Sequence, residues 1–159
     1  MTGEVELDGN IGQMSGEKIT IDGTSQKYSI NGNGHKGIII NNEQSLELTR
    51  LSAAGYSNSE TNTDQRFADN NGTLTLKNGI TISNNGNNST EGGAIRNSGV
   101  LNMAGVDING EVPETDSGKI LTQVRLSSNK GINGAALYNE QSGTVDVLNG
   151  YLATNTATG

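Results

Sequence analysis

The sequence of 159 residues is poor in the residues that build compact cores and cross-links: it has no cysteine, no tryptophan, one proline and one phenylalanine. The lack of cysteine excludes a disulfide framework and a thiolate metal site. Only 31% of the residues are hydrophobic, and nearly all of these are Ile, Leu, Val or Ala, which suit a pleated, stacked surface. The composition therefore favours a thin β-structure in a single domain.

Positively charged residues are also scarce. The ten Lys and Arg residues are scattered singly and the net charge is −7, which argues against nucleic acid or an anionic membrane surface as a partner. No charged leader precedes an apolar stretch, and no apolar run reaches the roughly 18 residues that a membrane span needs. The chain is therefore expected to have no membrane span of its own, as either a complete cytoplasmic protein or a piece of a longer one.

An apolar-x-apolar pair recurs five times along the chain, at spacings of 27, 28, 27 and 44 residues. A stack of equal turns requires like residues one period apart, because each turn lies about 4.8 Å above the last. The pairs are Ile19/Ile21, Leu46/Leu48, Leu74/Leu76, Leu101/Met103 and Val145/Val147.

This period predicts an all-β fold, a right-handed parallel β-helix (a single-stranded solenoid) of roughly five to six turns. Residues 1–15 are expected to form an N-terminal edge turn or cap and residues 16–159 the repeats. The apolar pairs should point inward, together with residues on neighbouring faces: Ile38, Ile40, Ile80, Ile82, Ile95 and Leu137. Their partners should point outward by alternation: Thr20, Glu47, Thr75, Asn102 and Asp146.

The longest interval contains an insertion. Residues 111–122 hold the only proline and three acids within six residues, Glu111, Glu114 and Asp116. Such a stretch predicts a loop or hairpin excursion from one turn.

Asparagine forms a second periodic column. Asn42, Asn70 and Asn97 each lie four residues before an apolar pair, and Asn139 lies six before one. Asparagine tolerates the left-handed backbone conformation of a sharp turn, and stacked asparagine amides can bond to one another. The column predicts a corner of the coil.

The segments GGAIRN at 92–97 and NGAALYN at 133–139 resemble the GGA(I/L/V) repeat of the polymorphic outer-membrane protein family of autotransporters. The matching residues are Gly92, Gly93, Ala94, Gly134 and Ala135. That family pairs the motif with an F-x-x-N tetrapeptide. The corresponding tetrapeptides here have Ile or Leu in place of Phe: Ile82-Ser-Asn-Asn85, Leu126-Ser-Ser-Asn129 and Leu152-Ala-Thr-Asn155. In the second GGA-type segment, NGAA at 133–136 stands where the family has GGAI.

Residues 18–51 look like the opening turns of pectin-lyase-like β-helices in large bacterial surface proteins, so the resemblance extends from about residue 16 to the end. It implies a passenger segment displayed outside a bacterial cell for adhesion or as a stalk. The signal peptide and the membrane barrel would lie outside this chain. No cofactor is implied.

Catalytic chemistry has weak support in the sequence. His35, in GNGHKG, faintly resembles the Gly-His-Gly of polygalacturonases, but no paired carboxylates recur at one position of successive turns. A turn residue is the simpler interpretation. A calcium-dependent lyase would need stacked acids with a basic residue, and the outward column through Thr75, Asn102 and Asp146 has one acid in three. No catalytic or metal-binding residue is therefore assigned, and Asp107 and Asp146 join His35 as the first residues to test if turnover is found.

Two segments are candidate binding surfaces. Residues 53–69 lack apolar alternation and are expected to expose Tyr56, while Phe67 is expected to fill the core at the position of Ala94. Residues 111–122 are not required by the period and carry Glu114 and Asp116.

The leading functional hypothesis is a non-enzymatic segment of a bacterial adhesin that contacts a host-cell or surface glycan or protein receptor. The alternative is a polysaccharide-binding or polysaccharide-degrading protein on the same fold. Unpaired strand edges at the two ends of the coil predict end-to-end self-association.

Overall fold

The computed structural model describes residues 3–6, 12–24, 28–56, 65–107 and 109–159. These residues form a parallel β-solenoid of about five turns with one short helix. The elements in chain order are β1 (Gly3–Glu6), β2 (Gly12–Gln13), β3 (Lys18–Asp22), β4 (Tyr28–Asn31), β5 (Ile38–Ile40), β6 (Ser45–Thr49), β7 (Leu51–Ala54), β8 (Ala68–Asn70), β9 (Thr73–Lys77), β10 (Thr81–Ser83), β11 (Ile95–Asn97), β12 (Val100–Met103), α1 (Asp116–Thr122), β13 (Val124–Ser127), β14 (Lys130–Gly131), β15 (Leu137–Asn139), β16 (Thr144–Val147), β17 (Gly150–Ala153) and β18 (Thr156–Ala157).

Three parallel sheets run along the stack, and each turn of the coil contributes one strand to each of them. Sheet A has the order β1-β4-β7-β10-β13-β17, sheet B β15-β11-β8-β5-β2, and sheet C β16-β12-β9-β6-β3. The two short strands β14 and β18 pair separately. This regular succession confirms the parallel β-helix that the period predicts.

The register confirms the inward columns. In sheet C, Leu46 pairs with Leu74 and Leu74 with Leu101, so equivalent apolar residues lie directly above one another. In the middle turns these side chains are almost fully buried. In the last turn Val147 is 49% exposed, because the described residues place no strand beyond it. The core is therefore a thin apolar column that is covered at the sides and open at this end.

The excursion at 111–122 is only partly a loop, because its second half is helix α1 (Asp116–Thr122). The expectation of a loop or hairpin was wrong for these seven residues. Thr115 caps the helix, since its Oγ1 accepts a hydrogen bond from the Gly118 N–H at 3.1 Å, and Asp116 places an acid in the first turn. The segment is too short to show helical periodicity, so the cap was the only sequence signal available.

Helix α1 is fastened to the coil at its C-terminal end. Thr122 is buried, and the Asn149 side chain donates hydrogen bonds to the Lys119 carbonyl at 3.0 Å and to Thr122 Oγ1 at 3.2 Å. The excursion therefore rejoins the coil at a fixed point.

Candidate functional site

The corner between sheets B and C contains an asparagine ladder, in which Asn70 and Asn97 are buried and Asn139 is exposed. Asn70 Nδ2 donates to Asn97 Oδ1 at 2.6 Å, and Asn97 Nδ2 donates to Asn139 Oδ1 at 2.7 Å. Asn97 also donates to the carbonyl oxygens of Gly99 and Thr144. The ladder satisfies amide groups that would otherwise be buried without partners, so its role is structural.

Asn42 does not belong to this ladder, although its spacing suggested that it would. Ile40 pairs with Asn70, and Asn42 lies in the following turn, exposed. That turn is organised by Gln44, whose side chain accepts from the Asn41 N–H at 2.9 Å and donates to Met14 O at 3.0 Å. Because Ile40 offers no amide, Asn70 Oδ1 is buried without a hydrogen-bond partner among the described residues.

A second ladder follows the corner between sheets A and B. Asn129 Oδ1 accepts from both the backbone N–H and the Nδ2 of Asn85, at 3.1 and 3.0 Å. Asn155 Oδ1 accepts the same pair of bonds from Asn129, both at 3.0 Å. The asparagines of the three F-x-x-N-like tetrapeptides thus stack on one another.

The two GGA-type segments stack on each other as well. The register pairs residues 92–95 with 134–137, one residue later than the NGAA at 133–136 that the sequence suggested. Ile95 pairs with Leu137, which places Gly134 over Gly92 and Ala135 over Gly93. Gly92 and Gly134 both have positive φ, 65° and 59°, a conformation that favours glycine. The equivalent sequences are therefore GGAI at 92–95 and GAAL at 134–137, with Ala94 buried in the core.

Tyr56 is not exposed, as the sequence interpretation expected, but has 0% of its surface accessible. Its ring packs edge-on against Phe67 at a centroid distance of 5.6 Å, and Gly32 leaves the space that the ring fills. Phe67 lies in the core at the level of Ala94, as predicted. Of the candidate surface 53–69, residues 57–64 lie outside the described residues.

Burial raises the pKa of Tyr56 to about 12, and its hydroxyl has no hydrogen-bond partner in the described part of the chain. Because the folded state favours the neutral phenol, the fold keeps its full stability below the ordinary tyrosine pKa of 10.0, and it loses stability as the pH rises towards 12. We expect Tyr56→Phe to leave the free energy of unfolding at pH 7 unchanged or raised by up to about 1 kcal/mol. Urea denaturation at pH 7 and at pH 11 checks this, since only the wild type should lose stability through Tyr56 at the higher pH. A loss of 2 kcal/mol or more at pH 7 would mean that the hydroxyl is bonded.

The three residues to be tested first if turnover is found, His35, Asp107 and Asp146, come from different segments. His35 is half-buried in the turn after β4, where its backbone N–H donates to the Gly32 carbonyl at 2.8 Å. Asp107 closes a turn after β12 by accepting hydrogen bonds from the backbone N–H groups of Glu111 and Asn109, and these bonds keep the pKa of its carboxyl below the usual range. Asp146 points outward from β16. Within residues 12–24, 28–56, 65–107 and 109–159, no three His, Asp or Glu side chains lie close enough together to hold a metal ion.

Helix α1 forms one wall of a groove of about 370 Å³, which we call the α1 groove. Ile120 and Leu121 are 53% and 67% exposed. Glu114 and Asp116, earlier in the same excursion, are also exposed but do not line the groove. Arg125 is held in the groove by a 3.0 Å bond to the Ile120 carbonyl and lies over the half-exposed Tyr151 ring at 5.7 Å. The floor is formed by outward residues of sheet A, Thr81 and Ser127.

A second depression lies on the outer face of sheet B, and we call it the basic cavity. It is lined by Lys36, Arg66, Asp69 and Arg96 and by residues 37–39. Asp69 and Arg96 pair in the sheet register. Their spacing of one period is the sequence signal for this cluster, but a charged pair of this kind belongs to neither the apolar nor the asparagine columns.

The coil leaves its last turn uncovered within the described residues, where Val147 and Leu152 are 49% and 52% exposed at inward positions. End-to-end self-association stays a prediction. The single helix of the described chain has neither the length nor the apolar character of a membrane-spanning helix. No protein-family model, curated protein or solved structure matches this chain, so the strand register is what establishes its fold.

Proposed function

We propose that this chain is a non-enzymatic β-solenoid segment of a bacterial adhesin, displayed on the cell surface as a scaffold that presents a binding surface. The observation that carries the proposal is the contrast, within the described residues, between the regular coil and the helix α1 inserted in one of its turns. The turns repeat the same inward columns, and the later turns repeat the same asparagine corners. In contrast, α1 is inserted in one turn with Ile120 and Leu121 exposed.

The scaffold function rests on the continuity of the stack. Each parallel strand pair adds backbone hydrogen bonds along the axis, and each turn contacts mainly its neighbours. A coil of this kind can be extended by further turns without changing its cross-section. The resemblance to autotransporter passenger repeats supports placing it outside the bacterial cell.

The display function rests on α1. Two adjacent large aliphatic side chains in solvent are costly to keep exposed, and exposed apolar patches commonly mark interaction sites. The helix is fixed by its Thr115 cap and by Asn149, so the patch has a defined position. Its partner would be a host-cell or surface receptor, either glycan or protein.

Replacing both Ile120 and Leu121 by serine should reduce adhesion of protein-coated beads to cultured epithelial cells at least about fivefold, as expected for loss of an apolar anchor. Ser117→Ala, on the same helix and also exposed, is the matched control and should adhere like the wild type. Equal adhesion of the double variant and the wild type would remove α1 from the binding surface.

The surface location has its own test. An antibody raised against the purified chain should label intact source cells without permeabilisation. Labelling that appears only after permeabilisation would contradict the proposed location.

A polysaccharide-binding or polysaccharide-degrading protein is the second candidate, and the Arg125–Tyr151 stack favours it. The half-exposed Tyr151 ring offers the face that Arg125 does not cover to the apolar side of a sugar. The guanidinium and the Thr81 and Ser127 hydroxyls offer hydrogen bonds nearby. Incubation with acidic and neutral polysaccharides, with and without calcium, separates the candidates. Product release would overturn the non-enzymatic proposal, and retention without product release would identify a glycan receptor.

A further inference from the structure

The basic cavity concentrates positive charge on a protein whose net charge is −7. Among the residues that the structure describes, its lining holds three cationic side chains, Lys36, Arg66 and Arg96, and one carboxylate, Asp69. They come from three successive turns of the coil, since Lys36 precedes β5, Arg66 precedes β8 and Arg96 lies in β11. The stacking of turns therefore builds the cluster, which no single segment of sequence contains.

The wall of the cavity is a fixed ion pair. Arg66 is only 5% exposed, and its Nη1 donates to both carboxylate oxygens of Asp69, at 2.7 and 2.8 Å. Its Nε donates to the Glu91 carbonyl at 2.9 Å. The charges of Asp69 and Arg66 thus compensate each other within the wall. The three hydrogen bonds fix the Arg66 guanidinium in place before any ligand binds.

The two remaining cations lie at the edges of the cavity and are exposed. Arg96 forms an ion pair with Glu140, which belongs to the next turn and lies on the side of Arg96 away from Asp69. An anion in the cavity would therefore approach Arg96 opposite Glu140 and compete with it for the guanidinium. The cavity volume of about 120 Å³ suits one small oxyanion group.

We propose that the basic cavity binds an oxyanion, a sulfate or carboxylate group, between Lys36 and Arg96, with the Arg66–Asp69 ion pair as its fixed wall. The group can belong to an acidic glycan or be a free ion. The site is separate from the α1 groove, which lies on the outer face of sheet A, so it does not depend on the proposed adhesion through α1.

The test is isothermal titration of the purified chain with sodium sulfate, with ionic strength held constant by sodium chloride. We expect saturable binding that weakens at least about tenfold in Arg96→Gln and in Lys36→Gln, because each removes a charge-assisted hydrogen bond. Glu140→Gln should instead tighten binding by about threefold or more, because it releases Arg96 from its competing partner. Opposite effects of substituting the two members of one ion pair are not expected from a general loss of structure.

Lys130→Gln is the matched control, since Lys130 is an exposed cation on β14 that does not line the cavity; its binding should equal that of the wild type. Circular dichroism confirms that each variant is folded. A heparin-derived hexasaccharide and an uncharged dextran oligosaccharide then identify the source of the oxyanion. Tighter binding of the hexasaccharide than of sulfate, lost in Arg96→Gln, indicates a glycan, and equal binding indicates a free-ion site. Absence of saturable binding of both anions, weaker binding in Glu140→Gln, or an equal loss in Lys130→Gln would overturn the proposal.

Discussion

Replacing Asn97 by leucine should lower the free energy of unfolding by about 3 kcal/mol or more, because it interrupts a buried ladder at its centre. Asn97 has 0% of its surface exposed and makes side-chain hydrogen bonds to both neighbouring asparagines and to two backbone carbonyls. Leucine has a similar volume, so the loss would come from unpaired polar groups and not from a cavity. The midpoint of urea denaturation measures it.

Asn42→Leu is the matched control. Asn42 has the same spacing from an apolar pair as Asn97, but it is exposed and lies outside the ladder. Its substitution should change the free energy of unfolding by less than about 0.5 kcal/mol. Equal losses in the two variants would mean that Asn42 does form part of the corner and that the register of this turn differs from the one described.

The period of the apolar pairs was sufficient to predict the fold. In sheet C the predicted inward residues pair one above another, from Ile19 through Leu46 and Leu101 to Val145. The prediction succeeded because a parallel stack repeats one environment at each turn, so a single chemical requirement, an apolar side chain pointing inward, is written several times. One copy alone would have been ambiguous.

The corners could be predicted only in part, because corner residues are selected by local hydrogen bonding as well as by the period. Asn97 and Asn139 share a ladder although they differ in spacing from the next apolar pair, since the turn after Asn139 is longer. Asn42 has the expected spacing and no place in the ladder, because Gln44 supplies the hydrogen bonds of that turn. Spacing alone does not distinguish these cases.

The candidate site was the least predictable part. Tyr56 was expected outside because its segment lacks apolar alternation, whereas packing against Phe67 and Gly32 buries it. The basic cavity depends on charges contributed by three turns, and the α1 groove depends on how a short capped helix folds back on sheet A. Both are products of tertiary placement, so a search along the sequence for a compact motif does not find them.

The close stacking of the GGA-type segments leads to the second large effect. A Cβ atom at Gly93 would overlap the carbonyl oxygens of Lys130 and Ala135, which belong to the neighbouring turn. Both are backbone atoms within the stack, so neither can rotate away as the end of a side chain could. We expect Gly93→Ala to lower the free energy of unfolding by about 3 kcal/mol, at the upper end of the effects of overpacking.

Gly16→Ala is the control for this substitution. Gly16 also lies in the coil, but the nearest atom to an added Cβ is the Lys18 carbonyl oxygen at 4.0 Å, and its φ is not in the left-handed region. Alanine there should be neutral or stabilise the fold by up to about 1 kcal/mol, because it restricts the unfolded chain. Urea denaturation of both variants measures the difference in their free energies of unfolding. The destabilisation should arise in sheet B, because Gly93 leads into β11. If Gly93→Ala were as stable as Gly16→Ala, the turns containing 92–95 and 134–137 would have to lie farther apart than described here. Close approach of the two backbones would then not explain the glycine of the GGA-type segment.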